Sequence, residues 1–571
     1  MTTIGFIPNS EKGRKYNKKA LKNKLIFHHV PRQSKTCSTD FPDNTKLRAT
    51  AILGATILNS CFILMSDPLY RADPIAAPTA SSSALDTVLG WLDKQPAQLG
   101  ATDELATLLN HLMILQRHPA DHQRTLDALA GIYSRSIAHV EKLLPSLVAL
   151  SLPMPRKLRL SIRGLQDLLR ALAENLVSHS ARITQEGQEE RATALWRSMH
   201  ALSLHLLLSN LAAAPASAGI WRLLHTTYER ASKLGIASEC PAGSSCSTGE
   251  LYFAAILLAC AQPAAFTSRE ISFVADYLSQ HADLARLVDN PADVSDGSFW
   301  IDPMRDAAAT PCSRRVAPEN TAVIYFDCSR LAALIRKQLI ELKSGILPSS
   351  LGLSDFAGTP AGRGALRRLT EFLGNPGKRR FPRRRQHYRA VLCAGLENLW
   401  NLFSKRADAK IETSSWMITN ESPDGYSIMH VLGDSSEVSV GDVVAIRAET
   451  ADKWQVCIAR WAQSENQEHL EFGLQILATD AIPALLAVTA GNTQRHSQPV
   501  LILPHVPPLR VEDMLITPSG LLEEQPTRLV LVIEQGNIEI REVRNTRINE
   551  QNGLIEVFSI EPDEAMPRLT P

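Results

Sequence analysis

Between Ser83 and about Asp289, apolar residues recur at spacings of three and four. The segments ELATLLNHLMILQR, KLRLSIRGLQDLLRALAENLVSH, ATALWRSMHALSLHLLLSNLA and AGIWRLLHTTYERASKLGI each carry one apolar stripe, which predicts amphipathic helices. Breaks are expected at Pro119, Pro145, LPMP (152–155), APASAG (214–219) and ECPAGSSCSTG (239–249). Residues 290–375 read as a mixed connecting region. GSFWIDP and TAVIYFDC have strand character, CSRLAALIRKQLIELKSG is an amphipathic helix, and PSSLGLSDFAGTPAGRG reads as a flexible loop. After Arg389 the period changes to two. YRAVLCAGL, SSWMITN, YSIMHVL, GDVVAIRAE, WQVCIARWAQS and HLEFGLQIL predict a small antiparallel β-barrel. AIPALLAVTAGNTQ closes or leaves it. PVLILPHV, DMLITPSG, RLVLVIEQGNIEIREVRNTRI and GLIEVFSIEP then predict a second small β unit over 495–562, with Pro504, Pro507 and Pro508 at edges and turns. The expected fold class is multidomain α + β. Its parts are a basic segment over 1–82, an α-helical domain over 83–289, the connecting region 290–375, a barrel over 376–482 and a carboxyl-terminal β unit over 483–571.

Composition bounds this picture without changing it. The 571 residues are 44% hydrophobic and 21% charged, with a net charge of +1, as in an ordinary soluble protein whose charge acts only in local patches. Nine cysteines scattered from Cys37 to Cys457 argue for a reducing compartment, hence a cytoplasmic location. Cys240 and Cys246 lack a second pair at zinc spacing and read as a loop with two thiols. GIWRLLHTTYERASKLGI and GELYFAAILLACAQP resemble tetratricopeptide helices, but no period repeats, so a helical array or bundle is expected. Glu11 to Arg48 is basic and reads as disordered. The apolar run ATAILGATILNSCFILM after it is shorter than the roughly 20 residues of a membrane span and contains Thr50, Thr56 and Asn59. LNSC fits a lipoprotein cleavage site poorly. Membrane anchoring is therefore not expected, and MSDPLYRADPIAAPTASSS reads as an ordinary amino terminus starting at Met65.

Catalytic chemistry finds little support. His118 and His122 sit four apart in HPADH, but Pro119 stands where a zinc protease has its glutamate. His200 and His205 lie on an apolar face and read as packed core residues. Gly358, Gly362 and Gly364 do not complete GxGxxG, and neither a P-loop nor a GxSxG elbow is present. No catalytic residue, metal site or cofactor is assigned, and the protein is not expected to be an enzyme.

One stretch concentrates charge. KRRFPRRRQHYR, residues 378–389, holds seven Lys or Arg and a histidine. It contains Arg385-Gln-His-Tyr-Arg389, an RxxxR element just ahead of the barrel pattern. About 30 residues on, NESPDG (Asn420 to Gly425) fits [D/N]xSxxG. The two motifs in this order on strand-patterned sequence, followed by VCIARW and EFGLQIL, resemble the PilZ family of cyclic di-GMP receptors over residues 376–482. The resemblance implies that Arg385, Arg389, Asn420, Ser422 and Gly425 bind cyclic di-GMP, with Arg383 and Arg384 as additional contacts. Asn at 420 in place of Asp is within the family's pattern. Arg384, just before RxxxR, favours neither one nor two bound ligand molecules.

The chemistry fits independently. Guanine offers O6 and N7 as neighbouring acceptors that a guanidinium meets with two parallel bonds, and guanidinium groups also chelate phosphates and stack on bases. The expected function is a bacterial second-messenger receptor. Ligand would order an arginine-rich lead-in against the barrel and pass the signal to the helical half, which would engage a protein partner. The alternative is a ligand-independent interaction scaffold with a degenerate barrel. Nucleic-acid binding is not expected, because the barrel lacks a basic surface interleaved with aromatics.

Overall fold

The computed structural model describes residues 81–563 apart from 95–98, 118–121, 184–186, 290–292, 320–321, 379–380, 406–409, 431–437, 467–468, 491–493, 506–511, 523–524 and 536. The basic amino-terminal segment, the apolar run ending at Met65 and His118 lie outside the described residues. Among those described, no helix is long and apolar enough to cross a membrane.

Among the described residues, eight helices form the first part: α1 (Ser81–Asp93), α2 (Ala101–Arg117), α3 (His122–Val148), α4 (Arg156–Ser180), α5 (Gln188–Leu211), α6 (Ile220–Lys233), α7 (Thr248–Cys260) and α8 (Ser268–Gln280). Their apolar stripes meet in one core containing Leu108, Leu129, Leu172, Leu202, Leu224, Ile256 and Leu278. Two capping boxes show how local sequence sets helix starts. Ser247 and Glu250 open α7, and Thr267 and Glu270 open α8, each pair exchanging side-chain and backbone hydrogen bonds. The break expected at Pro145 does not occur, since α3 runs on to Val148; so near the helix end proline forfeits little of the ladder. His205 is a packed core histidine, with Nδ1 3.0 Å from Gln166 O and Nε2 3.2 Å from Ser217 Oγ. His200 is half-buried against Tyr133 and Trp196.

Residues 290–375 prove to be part of this domain rather than a connector. A four-stranded sheet of β1 (Arg286–Val288), β4 (Ile324–Asp327), β2 (Ser298–Ile301) and β3 (Thr310–Pro311), in that order, precedes α9 (Ser329–Lys343) and α10 (Pro360–Gly374). Phe299, Phe326, Ile335 and Leu369 join the helical core. The expected loop PSSLGLSDFAGTPAGRG instead makes two 3-10 turns and the start of α10. Thr359 caps that helix on Gly362 N, and Pro360 occupies its first turn. Gly362 and Gly364 serve close packing, because a Cβ there would stand 2.0 Å from Phe356 O and 1.8 Å from Gln551 O.

The first barrel is closed, in the order β10-β7-β6-β5-β8-β9. Its strands are β5 (Arg384–Ala394), β6 (Ser414–Ser422), β7 (Gly425–His430), β8 (Val443–Ala448), β9 (Gln455–Asn466) and β10 (His469–Ala478), with α11 (Leu396–Ser404) after β5. Leu392, Trp416, Ile418, Ile428, Val444, Ile446 and Phe472 fill it. A second closed barrel contains β11 (Ile482–Ala490), β12 (Gln494–Leu503), β13 (Asp513–Pro518), β14 (Arg528–Gln535), β15 (Asn537–Gln551) and β16 (Ile555–Pro562). IPALLAVTA therefore forms β11 and opens the second barrel.

A further apolar layer joins the two. Val443 and Ala445 of β8 face outward against Leu501, Leu503, Ile516 and Val557, while Val444 and Ile446 face inward. This is why VVAI is apolar at both parities. The helical domain seats against both barrels. Ser464 N donates to Ala213 O at 2.7 Å, and Arg159 Nη2 to Ser464 Oγ at 3.1 Å. On the other side Arg367 Nη2 reaches Gln551 Oε1 at 3.3 Å.

Candidate ligand-binding face of the first barrel

The basic stretch is not a free tether ahead of the barrel. Arg384, Arg385 and Arg389 lie within β5, paired with β6. The strand forms because Tyr388, Ala390 and Leu392 supply inward apolar positions that anchor it in the barrel core. Ala390, Val391 and Leu392 pair on both sides, with β6 and β8, whereas the arginine-bearing half pairs with β6, its one bond on the β8 side being from Glu449 N to Arg389 O at 3.1 Å. The lead-in shrinks to residues 375–383 and is held at its start. Pro376 O accepts from Ser313 Oγ at 2.9 Å, and Gly377 O from Arg314 Nε at 3.0 Å.

Two irregularities aim the motif residues. The β5–β6 register shifts between Arg385 and Tyr388, and the β6–β7 register between Ile418 and Asn420. Each inserts one extra residue, which changes the face presented beyond it. Tyr388 stays inward, with its hydroxyl donating to Glu421 at 3.2 Å. Arg385 lies directly opposite Asn420, Asn420 opposite Ser427, Ser427 opposite Gly473, and Gly473 opposite Trp461. These five residues form one row across the outside of β5, β6, β7, β10 and β9. At Gly473 there is no side chain, and the Trp461 indole occupies the space: a Cβ built there would sit 1.7 Å from Trp461 Nε1. The row thus runs from a guanidinium through an amide and a hydroxyl to an aromatic face.

The remaining motif residues lie at the β6–β7 turn. Ser422 Oγ is 2.6 Å from Asp424 Oδ1 and 3.2 Å from Gly425 O. Gly425 begins β7, where a Cβ would stand 2.0 Å from Leu474 O, so close passage of β10 requires glycine there. Ser422, Gly425 and Arg383 line a cavity of about 610 Å³ together with Trp461, Gly473 and Arg460. Arg384, Arg385, Arg389 and Asn420 lie outside its lining. Arg389, opposite Met417, stands on the same outer face as Arg385 but in a row further along, which crosses β7 at Met429, two residues from Ser427. The structure therefore brings Arg385, Asn420, Ser422, Gly425 and Arg383 to one end of the face and leaves Arg389 along it.

The electrostatics favour an anion. Arg384, Arg385 and Arg389 are exposed, and their guanidinium groups make no hydrogen bond or ion pair with any described residue. Ser427 is buried, yet its hydroxyl has no partner. Burial raises the Tyr426 hydroxyl to about 12 and the Tyr388 hydroxyl further, so both phenols stay neutral beneath the face. Ser427, Trp461 and Gly473 are missed by motif reasoning. The signal available for two of them was VCIARW followed by EFGLQIL, a large and an absent side chain on adjacent strands.

Two parts of the chain match known families. Residues 86–292 match the family described as "Cyclic-di-GMP receptor FimW, N-terminal domain", and residues 401–483 match "Cyclic-di-GMP receptor FimW, middle PilZ domain". The second match covers Asn420, Ser422, Gly425, Trp461 and Gly473 and begins after the β5 arginines. The cyclic-di-GMP receptor FimW of Pseudomonas aeruginosa is 20% identical over 448 residues, which cover 64% of this chain and 72% of that protein. No solved structure matches. With its closed six-stranded architecture and its NxSxxG turn, the first barrel belongs to the PilZ domain family.

Proposed function

We propose that the protein is a receptor for cyclic di-GMP, bound on the outer face of the first barrel. The observation that carries this reading is the register placing Arg385 opposite Asn420 at the head of a row ending in Trp461. Arg385 and Arg389 supply guanidinium forks for guanine edges and phosphates, and Asn420 supplies an amide for a base edge. Ser422 and Ser427 supply hydroxyls, and Trp461 a stacking surface. Arg383 and Arg384 add positive charge beside the cavity. The half-paired state of β5 lets its arginine-bearing segment shift onto ligand without breaking the barrel. No cofactor, metal or catalytic step is part of this function, and it operates in the cytoplasm.

Ligand that engages Arg383 and the lead-in also pulls on Ser313 and Arg314, so occupancy reaches the helical domain through a segment of nine residues. The helical domain then presents a surface to a protein partner. Such coupling can be no larger than the ligand's differential affinity for the two arrangements. Calorimetric titration of the full chain with cyclic di-GMP tests the reading. Wild type should bind, and Arg385→Ala or Asn420→Ala should lose about 1.5–3 kcal/mol, roughly ten- to hundredfold in Kd, the worth of hydrogen bonds to a charged group. Equal affinity in both variants and wild type would refute the site; absence of wild-type binding would favour a ligand-independent scaffold.

A further inference from the structure

Arg460 stands beside the proposed ligand face but belongs to neither motif. The β9–β10 register shifts between Gly473 and Leu474, where Trp461 and Ala459 pair with consecutive residues of β10. Arg460 is the extra residue of that bulge, and the bulge turns it to the same outer side as Trp461. Its Nε donates to Gln475 Oε1 at 2.6 Å, and its Nη2 pairs with Glu550 of β15 in the second barrel. Glu550 follows a second bulge, because the β15–β16 register shifts between Ile548 and Glu550. Two bulges on different barrels thus meet in one ion pair.

That pair is a partition. Arg460 and Glu550 line the 610 Å³ cavity that holds Ser422, Gly425 and Trp461. They also line a second cavity of about 470 Å³, where the helical domain contributes Arg367, Arg368 and Glu371 from α10. Glu371 feels both members: burial and then Glu550 raise its carboxyl, while Arg460, Arg367 and Arg368 lower it. Arg368 is already committed to Glu270 and Ala265 O, and Arg367 to Gln551.

We infer that Arg460 is a further ligand-contacting residue, held in reserve by Glu550 and transferred to the phosphate of a bound cyclic dinucleotide. The inference rests on the receptor reading above. Transfer has a consequence at the other cavity. Glu550 loses its cation and is left facing Glu371, two carboxylates on the opposing walls formed by β15 and α10. Their repulsion loosens the seat of the helical domain on the second barrel, so that ligand occupancy is read at a contact the ligand never touches.

The test titrates cyclic di-GMP into the full chain as wild type, Arg385→Ala, Arg460→Ala and Glu550→Gln. Removing the receiving guanidinium should weaken binding about tenfold, whereas releasing it from its carboxylate should tighten binding about threefold, in keeping with modest half-exposed pairs. Glu550→Gln preserves size and hydrogen bonding, so its result is readable even if Arg460→Ala folds poorly. A structural ion pair with no ligand role would shift thermal stability in both variants and affinity in neither, which overturns the inference, as does any Glu550→Gln chain that binds no tighter than wild type. Where wild type binds and Arg385→Ala weakens it, that failure sinks this inference alone; a wild type that binds nothing sinks the receptor reading as well. Hydrogen exchange in Pro360–Gly374 should rise with ligand in wild type and stay level in Glu550→Gln. No ligand-induced change in wild type would overturn the coupling.

Discussion

Asp442 stands at the entry to β8, where Ala459 N donates to its carbonyl and Val443 N to its carboxyl. Burial pushes its carboxyl up to about 7, against the lowering effect of the Val443 N–H. The folded state therefore holds a proton that the unfolded state releases near the usual carboxylate range. Folding stability from this group is full below about pH 4, falls as pH rises, and reaches its low plateau above about pH 7. Asp442→Asn should flatten that slope and raise stability at neutral pH, as measured by urea unfolding across this range; a slope unchanged from wild type would contradict it. The pairing of Gly473 with Trp461 makes a related point. The glycine admits the indole, and the indole forms the aromatic end of the row that starts at Arg385.

Elements of this chain are aimed by irregularities more than by regular pattern. The shifts in β5–β6, β6–β7 and β9–β10 decide which of Arg385, Asn420, Arg460 and Trp461 share a face. Helix α10 is the other decisive element. Arg368 bonds Glu270, already a capping-box residue of α8, so one carboxylate ties the start of α8 to the middle of α10. Gly364 lets α10 approach the end of β15 until a Cβ would be 1.8 Å from Gln551 O. Gly364→Ala should therefore cost about 1–3 kcal/mol, the usual penalty of overpacking. Thermal unfolding checks this, and an unchanged Tm would mean that helix and barrel slide apart freely.

Across the whole molecule, the two barrels share a buried layer and are joined by the short step from β10 to β11. Leu501 is fully buried in that layer, packed with Val443, Ala445 and Val557 rather than in its own barrel's interior. Leu501→Ala should destabilise the pair by about 2–5 kcal/mol. Hydrogen exchange should then rise in β8 and β9 of the first barrel along with β12 and β13 of the second. A rise confined to the second barrel would show that the layer does not couple them. The same assembly places Glu550 against Arg460, so the second barrel is a wall of the cavity lined by Ser422, Gly425 and Trp461 rather than an appended unit.

What the sequence by itself determined is what local periodicity and short-range motifs encode. These are the helical stripes, the change of period after Arg389, the capping boxes, and the two motifs that mark a PilZ barrel. Tertiary structure alone decided the rest, because it depends on which distant segments meet. The apolar parity of VVAI cannot say that its second face meets another barrel. The glycines of TPAGRG read as loop until Phe356 O and Gln551 O are seen to need their space. A one-residue bulge leaves no mark on composition, yet it turns every side chain beyond it to the other face. For that reason Arg460, Ser427 and Trp461 join the proposed site only once the strands are in register.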